Sequence, residues 1–418
     1  VTGGTLTVGV GQDVGKLDPV WSNLPTYNQF AYATLVHQTA DGEFTPYLAT
    51  EWTFADDGMS ITLQLRDDAK YSDGTDVNAE NVAASITRFL TTPSFKLALV
   101  GSQVASAEAT GEYEVKITFK IAVPQSYALG LLNDSSVLTM VSSEAGTSNP
   151  DVLNTSTLGA GPYVLDPDET VSGTQYTYVK NEYYFAPETL TYDKIVIKPF
   201  TDPNALASAV TTGQVTYALE LLPPLAKQAG DAGLQISKGA LGIGASGTSM
   251  LVFGEHTGPV ADVRVRQAIA HAIDRASINE ALYAGLATPT SSATPQGAPG
   301  YTGEDPYPYD LDEAKQLLAD AGYPDGFELT ITSPSAFDPG NLVGQAIQGA
   351  LAEIGITVNL EVNNDNFTDL TGKLSSGEFP VYVYTEPGES VFNMVTGSIQ
   401  AAGGALNPNG YPLPDDMA

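Results

Sequence analysis

The three histidines are the residues best suited to hold a metal ion or to transfer protons near neutral pH. They are His37, His256 and His271, and none has a second histidine at the spacing of a metal-binding helix. His271 falls within an amphipathic segment, where a structural role is the better interpretation. A two-histidine site assembled in space stays open at this point.

Nucleophilic and nucleotide-binding patterns are weak or missing. The chain has no cysteine and no Gly-x-Ser-x-Gly sequence, which excludes a cysteine nucleophile and a serine hydrolase of that type. A Gly-x-Gly-x-x-Gly string occurs at 242–247, but the following residues read as a strand, whereas a dinucleotide site requires a helix there. We interpret the string as a flexible loop.

Acidic side chains dominate the charge of the protein. The 418 residues include 49 Asp and Glu against 17 Lys and Arg, which gives a net charge of −32. Such a chain repels phosphate backbones, so we expect no nucleic-acid partner. Some carboxylate pair will lie close enough for glycosidase chemistry, which leaves a carboxylate-dependent hydrolase open as an alternative.

Alternating apolar residues predict the early elements. Residues 5–10 read as a strand, and 52–54 with 61–65 as a hairpin around Asp56-Asp57-Gly58. An apolar stripe of Phe30, Leu35 and Val36 predicts a helix, and Asn78 predicts the start of another.

The later half of the chain reads as layered α/β structure. A helix predicted from Asp310 ends at Gly322 and leads into a strand at 327–331, and a second helix ends at Gly355 before a strand at 356–362. Hydrophobic residues make up 42% of the chain, enough for sizeable cores.

Several strings together resemble the family 5 extracellular solute-binding proteins, the peptide- and nickel-type receptors of ABC importers. The order and spacing of the strings carry the resemblance, from residue 3 to about residue 380. The strings include Leu17-Asp18-Pro19, Tyr47-Leu48-Ala49, Lys70-Tyr71-Ser72-Asp73-Gly74-Thr75, Gly161-Pro162-Tyr163 and Val263-Arg264-Val265-Arg266-Gln267-Ala268.

The resemblance implies an α/β, two-lobed fold of the periplasmic-binding-protein type II class with an additional inserted domain. The implied divisions are lobe I at 1–42 and 158–255, the inserted domain at 43–157, and lobe II at 256–418. In relatives the chain then returns to lobe I, and we expect that return segment to be missing from this sequence.

The same resemblance implies a receptor that closes on a small solute in a cleft between its lobes. We expect ligand contacts from loops at strand ends, with an acidic residue, Glu386 or Glu389, pairing with the amino terminus of a peptide. The residues predicted to bind ligand are Trp21, Asn23, Tyr27, Ser246, Met250, Tyr384, Thr385, Glu386 and Glu389.

The function implied is an extracytoplasmic receptor that delivers a peptide or other small polar solute to ABC permease subunits. We expect a monomer without enzymatic activity, cofactor or metal, lipid-anchored at the cell surface or free in the periplasm. A nickel-type metal-chelate receptor is the first alternative, and the hydrolase is the second.

Overall fold

The chain divides into two compact units, residues 1–237 and residues 238–418. A computed structural model describes residues 3–22, 27–39, 43–92, 103–133, 138, 140–219, 221–236, 247–254, 257–292, 301–335, 337–365 and 367–387. Each unit has its own sheets and its own core, and each is described by itself.

The N-terminal unit contains eleven of the described strands. They are β1 (Thr5–Val10), β2 (Val36–Gln38), β3 (Phe44–Pro46), β4 (Ala49–Phe54), β5 (Ser60–Leu65), β6 (Val104–Ala109), β7 (Glu114–Phe119), β8 (Tyr163–Leu165), β9 (Tyr176–Lys180), β10 (Lys194–Pro199) and β11 (Tyr217–Ala218). Its described helices are α1 (Ala79–Thr91), α2 (Gln125–Gly130), α3 (Glu144–Ser148), α4 (Pro203–Thr211) and α5 (Pro223–Asp231), with short 3₁₀ turns at Pro150–Asn154 and Pro187–Thr189.

The first sheet of this unit has the described strand order β11-β1-β10-β9-β8. Strand β1 is parallel to both β10 and β11, so the carboxyl ends of these three strands lie at one edge. One face is apolar and buried: Val8 lies beside Ile197, and Ile197 lies opposite Tyr176 on β9. The predicted strand at 5–10 is confirmed.

A second described sheet, β4-β5-β7-β6, is covered by α1. Its β4–β5 hairpin closes where Ala55 N–H donates to Ser60 O at 2.9 Å, as the turn sequence predicts. Helix α1 begins after Asn78, whose side chain accepts the Asn81 N–H at 2.9 Å. Both predictions are therefore confirmed.

The helix predicted from Phe30, Leu35 and Val36 is wrong. Residues 27–31 form a turn, in which Asn28 O accepts the N–H groups of Ala31 and Tyr32, and strand β2 begins at Val36. The apolar side chains of this segment are buried by packing within the unit and not by a helical repeat.

The C-terminal unit adds four described strands and five described helices. They are β12 (Gly247–Phe253), α6 (Val263–Ala272), α7 (Arg275–Tyr283), α8 (Leu311–Asp320), β13 (Glu328–Pro334), α9 (Leu342–Ala352), β14 (Thr357–Asn363), α10 (Phe367–Ser375) and β15 (Val381–Pro387), with 3₁₀ turns at Gly258–Ala261 and Pro339–Asn341.

These strands form a sheet in the order β12-β15-β13-β14, with apolar clusters on both faces. Val381 and Val383 belong to the cluster that includes residues of α6, α8 and α9, whereas Tyr382 and Tyr384 belong to the cluster that includes residues of α10. The alternation along β15 follows the period of a strand buried on both sides. Asp310 starts α8 by accepting the N–H groups of Asp312 and Glu313, both at 3.0 Å.

Strand β12 pairs with β15 throughout its length and therefore belongs to the sheet of the C-terminal unit. The predicted boundary between residues 255 and 256 falls just after this strand. In the described ranges, no helix is both long enough and apolar enough to span a membrane.

Candidate functional site

Residues 11–22, here called the edge loop, follow β1 at the carboxyl edge of the first sheet. Ligands of open α/β sheets commonly bind beyond the carboxyl ends of the strands. The edge loop is therefore the first place to look for a site in the N-terminal unit, and it contains Trp21.

A buried ion pair holds the edge loop. The Asp18 side chain is 4% exposed and pairs with Arg88 of α1, whose side chain is 14% exposed. Arg88 Nη1 donates to Asp18 Oδ1 at 3.1 Å, and the second nitrogen pairs with Oδ2. Asp18 Oδ1 also accepts the Val20 N–H at 3.2 Å, so one carboxylate orders the loop and ties it to α1.

Tyr27 is a buried residue that also contacts the edge loop. It is fully buried, and its hydroxyl donates to Gln12 O at 3.0 Å. Its ring meets Tyr176 edge-to-face at 5.0 Å, and Tyr178 donates to Tyr27 O at 2.6 Å. Burial, with a smaller contribution from Asp13, raises the pKa of Tyr27 well above its ordinary value. A solute contact by Tyr27 stays a prediction.

Trp21 is the predicted site residue that the edge loop exposes. Its side chain is 40% accessible, and the Lys16 ammonium lies 5.0 Å from its ring centroid. An indole face beside a cation can contact both an apolar surface and an anionic group of a solute. Asn23, the next predicted residue, lies outside the described residues.

In the C-terminal unit, three predicted residues meet on neighbouring strands. Met250 of β12 lies opposite Tyr384 of β15, and Ser249 lies opposite Thr385. Tyr384 is 9% exposed and packs edge-to-face on Phe337 at 4.8 Å, whereas Met250 and Thr385 are half-buried. We call Met250, Phe337, Tyr384 and Thr385 the edge cluster.

Phe337 and its neighbour Asp338 belong to this part of the structure but were not predicted from the sequence. Thr385 Oγ1 donates to Phe337 O at 3.2 Å, which joins the end of β15 to the turn after β13. Asp338 is 2% exposed; its carboxylate accepts the Ser333 hydroxyl at 2.7 Å and the N–H groups of Val343 and Gly344 at 3.0 and 2.8 Å. The Asp-Pro-Gly-Asn sequence at 338–341, ahead of an apolar helical repeat, could have indicated this helix start.

The remaining predicted residues are less informative. Ser246 and Glu389 lie outside the described residues, and Glu386 lies opposite Thr248 near the end of β15. His256 is also outside them, and His271 donates from Nδ1 to Pro308 O at 2.7 Å, which is a structural contact. The described ranges contain no group of three or more metal-ligating side chains.

A family model described as bacterial extracellular solute-binding proteins, family 5 Middle, matches residues 43–394, which is well over half of the chain. The chain belongs to this family. The family predicted from the sequence strings is therefore confirmed, and the protein is a family 5 solute-binding protein.

Among curated relatives, this family 5 protein is similar to the glutathione-binding protein GsiB. The GsiB of Salmonella typhi is 30% identical over 363 residues, which cover 85% of this chain and 69% of the relative. The GsiB of Escherichia coli O1:K1 / APEC is 31% identical over 360 residues, which cover 84% and 68%.

Among solved structures, the family 5 protein is similar to NikA from Brucella suis in complex with Fe(III)-EDTA. The TM-score is 0.80 at 24% identity, covering 96% of this chain and 83% of NikA. DppA from Helicobacter pylori in complex with the peptide STSA gives a TM-score of 0.71 at 24% identity, covering 97% and 83%. These likenesses confirm the predicted α/β fold of the periplasmic-binding-protein type II class.

Proposed function

We propose that this protein is an extracytoplasmic receptor that binds a peptide or another small polar solute and delivers it to the permease of an ABC importer. The family match over residues 43–394 carries the proposal. The 30% identity to glutathione-binding GsiB supports a peptide-like solute and makes glutathione the first compound to test.

Residues proposed to bind solute are assigned in each unit by itself. In the N-terminal unit we assign Trp21, because the edge loop is anchored from behind and leaves the indole accessible. In the C-terminal unit we assign Met250 and Thr385, which are half-buried members of the edge cluster. Asn23, Tyr27, Ser246, Tyr384, Glu386 and Glu389 keep their predicted roles, with Glu386 or Glu389 pairing with a peptide amino group.

The physical basis for capture is a difference in affinity between two arrangements of the protein. A solute favours the arrangement in which it makes more contacts, and a shift from 1:99 to 99:1 requires about 5.5 kcal/mol of differential binding. The solute is released unchanged, and no catalytic group is assigned.

Thermal unfolding with a solute panel tests the proposal. The panel contains glutathione, short peptides, oligosaccharides and nickel or iron chelates. A solute at 100 times its dissociation constant adds about 2.7 kcal/mol to the free energy of unfolding. For either unit, 1–237 or 238–418, this raises the melting temperature by about 5–11 °C. Stabilisation by glutathione or a peptide is expected. Stabilisation by chelates alone would favour the nickel-type alternative, and hydrolysis of a chromogenic glycoside would favour the hydrolase.

Variants of the two units test the residue assignments. Trp21→Ala and Thr385→Val should each weaken binding of the stabilising solute while the fold is retained. Val263→Ala is the control, because Val263 is 52% exposed at the start of α6 and is not one of the assigned residues. Unchanged affinity in both Trp21→Ala and Thr385→Val would place the site elsewhere.

Location, domain division and assembly are proposed on the same basis. We assign the protein to the cell surface, by a lipid anchor, or to the periplasm, which cell fractionation with and without detergent distinguishes. The separate sheet of β4–β7 supports the inserted domain at 43–157. Light scattering during size-exclusion chromatography tests the expected monomer.

A further inference from the structure

We propose that Lys16 and Trp21 together form a binding site for a carboxylate group of the solute. This inference rests on the proposed function and narrows it: the preferred solutes carry a free carboxylate. The observation behind it is the Lys16 ammonium placed 5.0 Å from the centroid of an indole ring that is 40% exposed.

The overall charge makes a local cation necessary for such a solute. With a net charge of −32, the protein as a whole repels anions, so an anionic group must meet a cation that is free to bind it. Many lysines of the described ranges already pair with carboxylates within 4.0 Å. These are Lys70, Lys180, Lys194, Lys227 and Lys373.

Lys16 differs from these lysines, and the two carboxylates of the edge loop have other hydrogen-bond or ion-pair partners. Asp13 Oδ1 accepts the Tyr176 hydroxyl at 2.6 Å and the Val14 N–H at 2.9 Å. Asp18 is buried against Arg88. Among the ion pairs of the described residues, none joins Lys16 Nζ to a carboxylate within 4.0 Å, so its N–H donors can meet a solute anion.

The backbone of the edge loop directs both side chains outward. Lys16 N–H donates to Val14 O at 2.8 Å across Gly15, whose φ is +68°, and this turn precedes a buried run. Leu17, Asp18 and Val20 are each at most 4% exposed, whereas Lys16 and Trp21 at the two ends of the run are exposed. The buried run fixes the spacing of the exposed pair.

The chemistry of the pair selects a single carboxylate on a partly apolar solute. A lysine ammonium binds an anion as a compact point charge and does not make the bidentate contact of an arginine. The indole face packs against the adjacent apolar part of the solute, and its negative face also keeps the ammonium in place. A peptide with a free carboxyl terminus fits this description, and its amide does not.

Intrinsic fluorescence gives a direct test, because the chain has only two tryptophans, Trp21 and Trp52. In a Trp52→Phe background, all indole emission comes from Trp21. Glutathione, trialanine and trialanine amide are titrated against this variant, with calorimetry as a second readout. A charge-assisted hydrogen bond predicts that trialanine binds about 10–100-fold more tightly than its amide.

Substitutions of Lys16 decide whether this residue causes the preference. Lys16→Gln should bind the acid and the amide within about 2-fold of each other, and Lys16→Arg should keep the preference for the acid. Lys315→Gln is the matched control: it removes the same charge from an exposed position on α8 and should behave as the unsubstituted protein.

A second readout requires no solute. In the same Trp52→Phe background, the ratio of quenching by iodide to quenching by neutral acrylamide should be higher for Trp21 than for free indole, because the Lys16 ammonium attracts the anion. Lys16→Gln should remove this difference. Equal binding of acid and amide with no change in Lys16→Gln would overturn the carboxylate site and leave the receptor intact. Failure of every peptide, oligosaccharide and chelate to bind by calorimetry would instead overturn the proposed function.

Discussion

The buried pair of Asp18 and Arg88 gives the sharpest test of how the N-terminal unit holds its edge loop. Replacing Arg88 with Met keeps the length of the side chain and the helix propensity of α1, but leaves the Asp18 carboxylate buried without its cation. With side chains 4% and 14% exposed, solvent cannot replace the lost partner. Breaking a buried pair in this way costs about 3–5 kcal/mol.

That cost corresponds to a large thermal shift. For a unit of residues 1–237, 1 kcal/mol lowers the melting temperature by about 2–4 °C, so Arg88→Met should lower it by about 6–20 °C. Urea unfolding followed by tryptophan emission measures this unit selectively, because both tryptophans lie within it. The edge loop should also lose order, and Trp21 should become more accessible to acrylamide.

Two further variants complete the test. Asp18→Asn combined with Arg88→Met removes both charges but keeps an oxygen that can accept the Val20 N–H, so it should recover part of the lost stability. Lys227→Met removes a cation from an exposed pair with Asp231 and should cost at most about 1 kcal/mol. A loss below about 1 kcal/mol in Arg88→Met, or a double variant at least as unstable as Arg88→Met, would refute the reasoning.

Three further predictions concern the supports of the fold. Asp338→Ala leaves the Ser333 hydroxyl and the Val343 and Gly344 N–H groups without their buried acceptor. The free energy of unfolding of the C-terminal unit should therefore fall by about 1–3 kcal/mol, and the amides of α9 should exchange hydrogen faster. Unchanged exchange would contradict this prediction. Gly161→Ala would place a Cβ 2.4 Å from Ala31 C and 2.6 Å from Tyr32 N, so chemical denaturation should show a loss of about 1–3 kcal/mol, and a neutral result would mean that this contact relaxes freely. Burial raises the pKa of Tyr27, Tyr71 and Tyr178 above the ordinary 10.0, so above pH 10.0 the folded state keeps protons that the unfolded state loses. The contribution of these groups to the free energy of unfolding should therefore be constant below pH 10.0 and fall above it. The tyrosinate absorbance of these residues should appear only when the protein unfolds.

Features set by local sequence were predicted well. Asn78 and Asp310 start their helices because each side chain accepts N–H groups two or three residues away, which a sequence pattern can reveal. The β4–β5 hairpin follows from its turn and alternating strands. The short sequence segments typical of the family also allowed the family to be predicted, because several weak patterns in a fixed order are specific when they occur together.

Features set by contacts between distant residues were not predicted. Asp18 and Arg88 are 70 positions apart, and nothing in either segment indicates their pairing. The same limit explains the wrong helix at residues 30–36, where burial comes from tertiary packing. It also explains why Trp21, Tyr27 and Tyr384 were grouped as equivalent site residues although the structure exposes the first and buries the other two.

The surroundings of Lys16 show the same limit. Asp13 and Asp18 are close to Lys16 in sequence, but in the structure each carboxylate has a distant partner, Tyr176 or Arg88. The contact between the Lys16 ammonium and the accessible Trp21 indole depends on the folded loop and cannot be predicted from the sequence.

Native mass spectrometry with the solute panel shows directly whether this protein captures a small solute without altering it. We expect a complex of one protein with one peptide-like solute, from which denaturation releases the solute at its original mass. A protein that gains no mass with any solute of the panel, or that releases a solute of changed mass, would contradict this claim.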